Sequence, residues 1–479
     1  MKKSIKLNAV LMVAKTALSL LIPLITFPYI SRVLSVDTLG QYNFSSSIVS
    51  YFLLIAGLGI GTYAIREGAK IRHDKTKINQ FMTEMMVINI VSTVIATIVL
   101  IICLLFIPKL HNYSSLIIIL GFQILFTLYG RSWIYNVYED FGYITIIQVF
   151  FQFLSMVLLF LLVHKPEDVY KYAIINVISS SGSNILYGIH ASKYVSYTPI
   201  NISGIRKHII PIFIIFAMSI ATTIYVNSDM TILGWIVDDR SVGLYSTAVK
   251  IYNIIKQVLV AVITVTIPRL TLLANTDKFK PFFVKVYNML FFMSIPAMIG
   301  IIFLSKNIVL IISSSAYVEA STALQILSVA LVFALIACLF GMSVLLPNNK
   351  EKIFLNATIV SAIVNVSANF ILIPIYKQNA AAFTTALSQA VALVICYCYS
   401  KKYVEMKSTI KSSLQVIAGC IGIVGSCILI KSFGLGLVQE TILAVIMSIL
   451  VYLFIELLLR NRTLFEILNS MKGMFLKRK

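Results

Sequence analysis

Residues 85–107 read MMVINIVSTVIATIVLIICLLFI, a run without a single charged side chain. About 20 consecutive apolar residues let a helix cross roughly 30 Å of hydrocarbon, so this run is long enough. A transmembrane strand would alternate polar and apolar residues over about ten positions, and this run does not. Similar stretches recur along the chain, about fourteen in all by the same length criterion. They lie at 9–30, 42–63, 85–107, 114–135, 142–163, 170–190, 209–236, 244–267, 288–312, 321–346, 353–373, 380–400, 412–430 and 437–459. Of 479 residues, 59% are hydrophobic and 12% charged, more apolar surface than a water-soluble domain can hide. The expected fold class is an all-α integral membrane protein.

The formal net charge of +21 follows the same pattern. With the N-terminus inside, inner segments hold about 27 Lys and Arg against about 8 in outer loops, the positive-inside bias. The inner clusters include Lys2 to Lys6, Arg66 to Lys77, Lys401 to Lys411 and Arg460 to Lys479, whereas Arg32, Lys109, Arg240 and Lys377 are outer. An even number of crossings with both termini in the cytoplasm is expected. The basic excess reports topology, so no nucleic-acid partner is expected. All six cysteines fall inside spans, which argues against a disulfide framework or a metal cluster. No phosphate-binding G-x-x-x-x-G-K-[ST] loop is present, so no nucleotide cofactor is expected. Gly57, Gly59 and Gly61 read as a flexible helix end. No loop exceeds about 20 residues, short of an appended soluble domain. The first span is too long for a signal-peptide core and is expected to be retained.

Several spans carry polar stripes that lipid-facing helices have no use for. The first has Asn8, Lys15, Ser19 and Thr26; the seventh has Ser219, Thr222 and Asp229. The eighth has Ser246, Lys250, Asn253, Gln257 and Thr264, and the eleventh has Thr358, Ser361, Asn365 and Asn369. Spacings of three, four and seven place each set on one helical face. A hydrated cavity and interhelical hydrogen bonding both use such residues. Charges discriminate further, because Lys or Asp at a span centre costs roughly 2.5–3.5 kcal/mol. Asp229 is the only carboxylate expected well inside a span, which makes it the leading site for ion coupling or gating. An Asp229–Lys250 pair that only holds helices together is the structural alternative. The five histidines are expected in loops or near span ends. Pro23, Pro28, Pro211, Pro268 and Pro296 are expected to bend helices or to serve ordinary packing.

An internal echo suggests duplication. Thr38-Leu39-Gly40-Gln41-Tyr42-Asn43 precedes the second expected span, and Ser241-Val242-Gly243-Leu244-Tyr245-Ser246 precedes the eighth. An offset of six spans gives both halves one orientation, as in transporters built from parallel repeats.

The chain resembles the polysaccharide flippases, the Wzx-type branch of the multidrug/oligosaccharidyl-lipid/polysaccharide exporter superfamily. The resemblance rests on Asn8 with Phe27-Pro28-Tyr29-Ile30-Ser31-Arg32-Val33-Leu34, then Gly40, Gly57 through Arg66-Glu67, and Trp133 with Glu139. It continues with Asn227 through Gly234, Val242 through Ile251, Pro268-Arg269-Leu270, and Leu345-Leu346-Pro347 with Lys350-Glu351. One departure is Gln378-Asn379-Ala380-Ala381-Ala382-Phe383-Thr384-Thr385, where such flippases often carry a glycine-rich Gly-Ala-x-Gly-Ala-Ala. The resemblance implies a bacterial inner-membrane protein with two pseudo-symmetric six-helix bundles, 1–208 and 209–408. Residues 409–479 would add two transmembrane helices and a basic cytoplasmic tail. It implies alternating access, with undecaprenyl-diphosphate-linked oligosaccharide as cargo, membrane lipid as surroundings, and a polysaccharide polymerase and chain-length proteins as partners. A cavity with fixed cations at Lys15, Arg32, Arg66, Lys250 and Arg269 would offset the lost hydration of the diphosphate. For Arg32, Arg66 and Arg269, anchoring at a span end is the simpler alternative. The competing functions are a multidrug or other lipid-precursor exporter, a membrane polymerase or glycosyltransferase, and a non-transporting scaffold. Short outer loops with scattered acids disfavour the enzymes.

Overall fold

The stretch 85–107 forms most of a longer helix whose surface is inverted relative to a soluble protein. Val91, Ile95, Ile98, Ile102 and Leu105 are all about half exposed or more, whereas Ser92, Thr93 and Ala96 are buried. Apolar residues face outward at helical spacing and small polar ones face in, as a lipid surround demands. The computed structural model describes residues 5–200, 202–274, 276–404 and 410–476, and the side chains of these apart from 5–17, 20, 202–203 and 470–476.

The regular structure is all helical among the described residues. Residues 1–243 form one compact unit and residues 244–479 another. The first holds α1 (Ile5–Val33), α2 (Val36–Gly57), α3 (Ile60–Ile71), α4 (Lys75–Phe106), α5 (Pro108–His111), α6 (Ser114–Phe126), α7 (Ser132–Val137), α8 (Phe141–Leu162), α9 (Val169–His190) and α10 (Ile202–Ile236). α11 (Asp239–Leu273) begins in the first unit and runs into the second. There follow α12 (Phe279–Ile312), α13 (Ala320–Phe340), α14 (Glu351–Ser400), α15 (Ile410–Ser432), α16 (Leu437–Leu458) and α17 (Arg462–Leu476). Ten helices among the described residues are long and apolar enough to cross a membrane. The chain is therefore an all-α, multi-pass membrane protein.

Several boundaries differ from the sequence reading for local reasons. The stretch 42–63 is not one helix: α2 starts at Val36 and ends where Leu58 and Gly59 turn left-handed at φ 44° and 73°. A side chain at 59 would also meet Ile215 of α10 at 2.7 Å, so glycine suits both the backbone and the contact. α3 then runs on as an amphipathic helix, burying Ile60, Tyr63 and Ala64 and exposing Arg66 and Lys70. The stretch 114–135 breaks too, with a 3₁₀ turn at Thr127–Tyr129 before α7. α4 begins ten residues before the apolar run, because a helix extends as far as its hydrogen bonds and packing allow. Stretches 353–373 and 380–400 lie in α14, which breaks at Lys377 (φ 50°, ψ −131°) shortly after Pro374. Beyond that break Ala380, Ala381 and Ala382 are buried, so small side chains fill the place of the glycine-rich motif. Pro23, Pro28, Pro211, Pro268 and Pro296 all lie inside helices.

Both halves of the internal echo sit in the first turns of helices rather than in loops. Ser35 caps α2, its hydroxyl accepting from Thr38 N at 3.2 Å. Asp238 accepts from Ser241 N at 2.7 Å at the start of α11. The two glycines mark where these turns cross. A Cβ on Gly40 would lie 1.8 Å from the carbonyl oxygen of Asp239, and one on Gly243 would lie 2.1 Å from that of Val36. Small residues at crossings allow such backbone approach in membranes.

Candidate functional site

Asp229 lies in a buried polar seam between α2 and α10. Ser228 and Asp229 are only 4% and 5% exposed. Two residues further along α10, Thr231 bridges to α2: its Oγ1 lies 3.1 Å from Tyr51 Oη and 3.0 Å from Ser47 Oγ. Asp229 lies near the Tyr51 side chain of α2. Sequence spacing put Asp229 with Ser219 and Thr222. Those two hydroxyls donate to carbonyls of their own helix, Ile215 O at 3.0 Å and Met218 O at 3.2 Å. Tyr51 and Ser47 were not singled out in the sequence, although the polar run Ser45-Ser46-Ser47 with Ser50-Tyr51 was the available signal.

The cations are arranged less uniformly than the sequence suggested. Lys250 and Gln257 are exposed and Asn253 is partly so on one face of α11. Within its own unit, Lys250 has no acidic partner among the described residues. Arg269 is exposed, with its guanidinium 4.7 Å over the ring of Phe282. Arg66 is exposed and its Nε donates to Glu67 at 2.9 Å. Arg32 is exposed in the last turn of α1. The side chains of Asn8 and Lys15 lie outside the described residues. Asn365 is buried in α14, its Oδ1 accepting from Asn369 Nδ2 at 3.2 Å; Asn369 in turn accepts from Thr384 across the break at Lys377. Thr384 belongs to the departure segment 378–385, outside the expected polar lining.

Asp229 is not the sole carboxylate buried within a long helix. Glu84 and Glu456 are 2% and 0% exposed. Glu84 fell outside the apolar window at 85, yet it stands within α4. It lies 2.7 Å from His208 Nε2, and His208 Nδ1 lies 2.7 Å from Tyr63 Oη. With Glu84 ionised, Nε2–H donates to the carboxylate and Nδ1 accepts the tyrosine proton. Gln80 Nε2 adds a donor at 2.9 Å, and Lys207 Nζ stands at 3.7 Å. His208, next to the start of the expected span 209–236, is thus part of a buried network.

A cavity of about 250 Å³ in the first unit is lined by Asn89, Arg131 and Asn184 among others. Arg131 donates to Gly188 O at 3.1 Å, and its Nε is buried without a partner among the described residues. Arg131 falls within the expected span 114–135 and is not among the expected cavity cations. Tyr113 Oη donates to Asp239 at 2.7 Å. Burial, and then that carboxylate, push the Tyr113 hydroxyl well above its usual pKa. Asp168 caps its loop by accepting from His164 N and Lys165 N at 3.0 and 3.2 Å. The His164 N–H first, then Lys171, hold its carboxyl down at about 2.

Residues 6–273 match the model of the family described as "Polysaccharide biosynthesis protein". The chain belongs to this family. The match covers more than half of the 479 residues and includes Asp229, Lys250 and Arg269. A putative O-antigen transporter of Escherichia coli (strain K12), a relative of this family member, is 24% identical over 397 residues, 80% of this chain and 93% of that protein. Among solved structures, the fold is similar to a lipid II flippase MurJ in an inward closed conformation, with a TM-score of 0.74 and 19% identity over 94% of this chain and 99% of that one. An inward-facing multidrug resistance MATE family transporter of the MOP superfamily gives a TM-score of 0.59 at 15% identity, over 80% and 93%. The family member is thus Wzx-like, as the resemblance read from its motifs implied.

Proposed function

We propose that this protein is a flippase that moves undecaprenyl-diphosphate-linked oligosaccharide repeat units from the cytoplasmic to the outer leaflet of a bacterial inner membrane. It is a transporter rather than an enzyme, and its product feeds assembly of capsule or O-antigen. The observation that carries this reading is the extent of the family match. Residues 6–273 take in every proposed cargo cation, Lys15, Arg32, Arg66, Lys250 and Arg269, together with Asp229. The chemistry supports it. A diphosphate and a sugar chain cannot cross hydrocarbon unaided. A fixed cation about 4 Å from a phosphate charge gains about 4 kcal/mol at an effective dielectric of 20.

The proposed architecture has fourteen crossings with both termini in the cytoplasm. Bundles 1–208 and 209–408 alternate access, and 409–479 contributes two further helices and a basic tail. Asp229, buried beside Tyr51, gates or couples the cycle, while Asn253, Gln257 and Asn365 contribute polar lining. The polymerase and chain-length proteins of the pathway are its proposed partners. Deletion in a strain with no redundant flippase tests the function. Lipid-linked repeat units are expected to accumulate on the cytoplasmic leaflet and surface polymer to disappear. Normal surface polymer, or purified protein that joins sugar units without moving them across vesicles, overturns the reading.

A further inference from the structure

A basic pocket of about 570 Å³ lies among helix ends in the second unit. It is built by the first turns of α12, α15 and α17 and by the turn after α16. Five cations line it, Lys280, Lys285, Lys411, Arg460 and Arg462, against one carboxylate, Glu466. That carboxylate is already shared, 3.4 Å from Lys285 Nζ and 2.9 Å from Arg462 Nε. Among the described residues Lys411 and Arg460 have no acidic partner. Like charges gathered at one place repel, so the arrangement favours an anion from outside the chain.

The backbone and the polar lining are consistent with a built site. Arg460 adopts φ 51°, a conformation uncommon for a residue with a side chain, and the turn places it in the pocket wall. Asn288 also lines the pocket, and its Oδ1 is buried without a donor among the described residues. α17 holds the wall by burying Leu464 and packing Ile467 against the cluster of α12, α15 and α16. Arg462 on the same helix is exposed, the division expected of a helix lying at a membrane surface.

We propose that this pocket binds the headgroup of an anionic phospholipid from the cytoplasmic leaflet. The cations receive the phosphate, with arginine suited to two oxygens at once. Asn288 receives a headgroup hydroxyl, which makes a glycerol headgroup the best fit. Basic pockets between membrane helices on the cytoplasmic side select acidic headgroups, and the end of the helices concerned is the one the charge bias places inside. A lipid carrier diphosphate has the same chemistry. A resident phospholipid is favoured because the pocket residues, 280 to 466, all lie beyond the family match that ends at 273. The proposal goes beyond the flippase reading and does not depend on the cargo.

The purified full chain in detergent, probed by native mass spectrometry, tests it. Phosphatidylglycerol is expected to bind more tightly than phosphatidylcholine, and added salt to weaken it. Lys411→Gln with Arg460→Gln is expected to weaken phosphatidylglycerol binding about 30-fold, two cations at their usual attraction to an anionic surface. Should the double variant fail to elute as folded protein, Lys411→Gln alone, expected at about fivefold, carries the test. Lys411→Arg is expected to retain binding. Equal binding of the two phospholipids, or wild-type affinity in the neutral variants, overturns the proposal. Displacement of phosphatidylglycerol by undecaprenyl diphosphate at lower concentration than by phosphatidylglycerol itself also overturns it and assigns the pocket to the carrier.

Discussion

Replacing Gly40 by alanine adds one methyl group where two helix starts cross. That carbon would lie 1.8 Å from the backbone oxygen of Asp239 and 3.1 Å from the backbone nitrogen of Gly243, whereas ordinary contact begins at 3.4 Å. The ends of α2 and α11 must therefore part by roughly 1.6 Å, the difference of the two distances. A flexible side chain could turn aside, but a carbonyl within a capped helix cannot. Asp239 is also held by Tyr113. Overpacking of this kind costs about 1–3 kcal/mol. If the cost falls on the state described here, about 2 kcal/mol shifts the balance roughly 30-fold toward states with this crossing open. Ser241 is 2% exposed, so Ser241→Cys reports opening through an impermeant maleimide applied from the proposed outer side. Labelling is expected to rise markedly in Gly40→Ala, with transport reduced and the protein still in the membrane. Gly243→Ala, aimed at Val36 O, is expected to behave alike. If Gly40→Ala labels, transports and melts as the parent does, the crossing is not a tight contact and the reasoning fails.

Four further outcomes are expected. Lys250→Gln should lose most transport in a vesicle flipping assay while Lys250→Arg keeps some. Arg66→Gln should lose less, because Glu67 already takes up part of its charge; equal losses would show that the two cations act alike. Asp229→Asn should insert at normal abundance yet slow transport, and an unaltered rate would remove the charge from the mechanism. Glu84→Ala should lower thermal stability by about 1–3 kcal/mol, the usual cost of leaving a buried donor, here His208 Nε2–H, without its acceptor, with a smaller loss for Glu84→Gln; melting in detergent measures both. At Asp168 the folded pKa lies below the unfolded one. Its contribution is therefore complete above the ordinary carboxylate range and is lost as pH falls toward about 2. The protection factor of the 164–168 loop amides, exchange measured relative to its intrinsic rate at each pH, should fall with pH over that window in the parent and stay level in Asp168→Asn.

The amino-acid sequence by itself determined the membrane class, the approximate positions of the long apolar helices and the family. Those properties are carried by single stretches: an apolar run such as 85–107 has one low-energy fate in lipid, and motifs such as Arg32, Gly40 and Gly243 stand in a readable order. Asp229 and Lys250 could also be picked out singly, because an intramembrane charge is costly wherever it occurs. What only the tertiary structure decided is which distant residues share a neighbourhood. Glu84 and His208 are separated by 124 positions, Tyr63 and His208 by 145, and Tyr51 and Thr231 by 180. Helical periodicity reports one helix face at a time and says nothing of the partner face. A hydropathy window likewise stops at the first charge, although α4 continues past Glu84 because His208, Gln80 and Lys207 compensate it. The basic pocket follows the same rule: α12, α15 and α17 each contribute one or two cations that look like ordinary inner anchors, and only packing gathers them around a shared space.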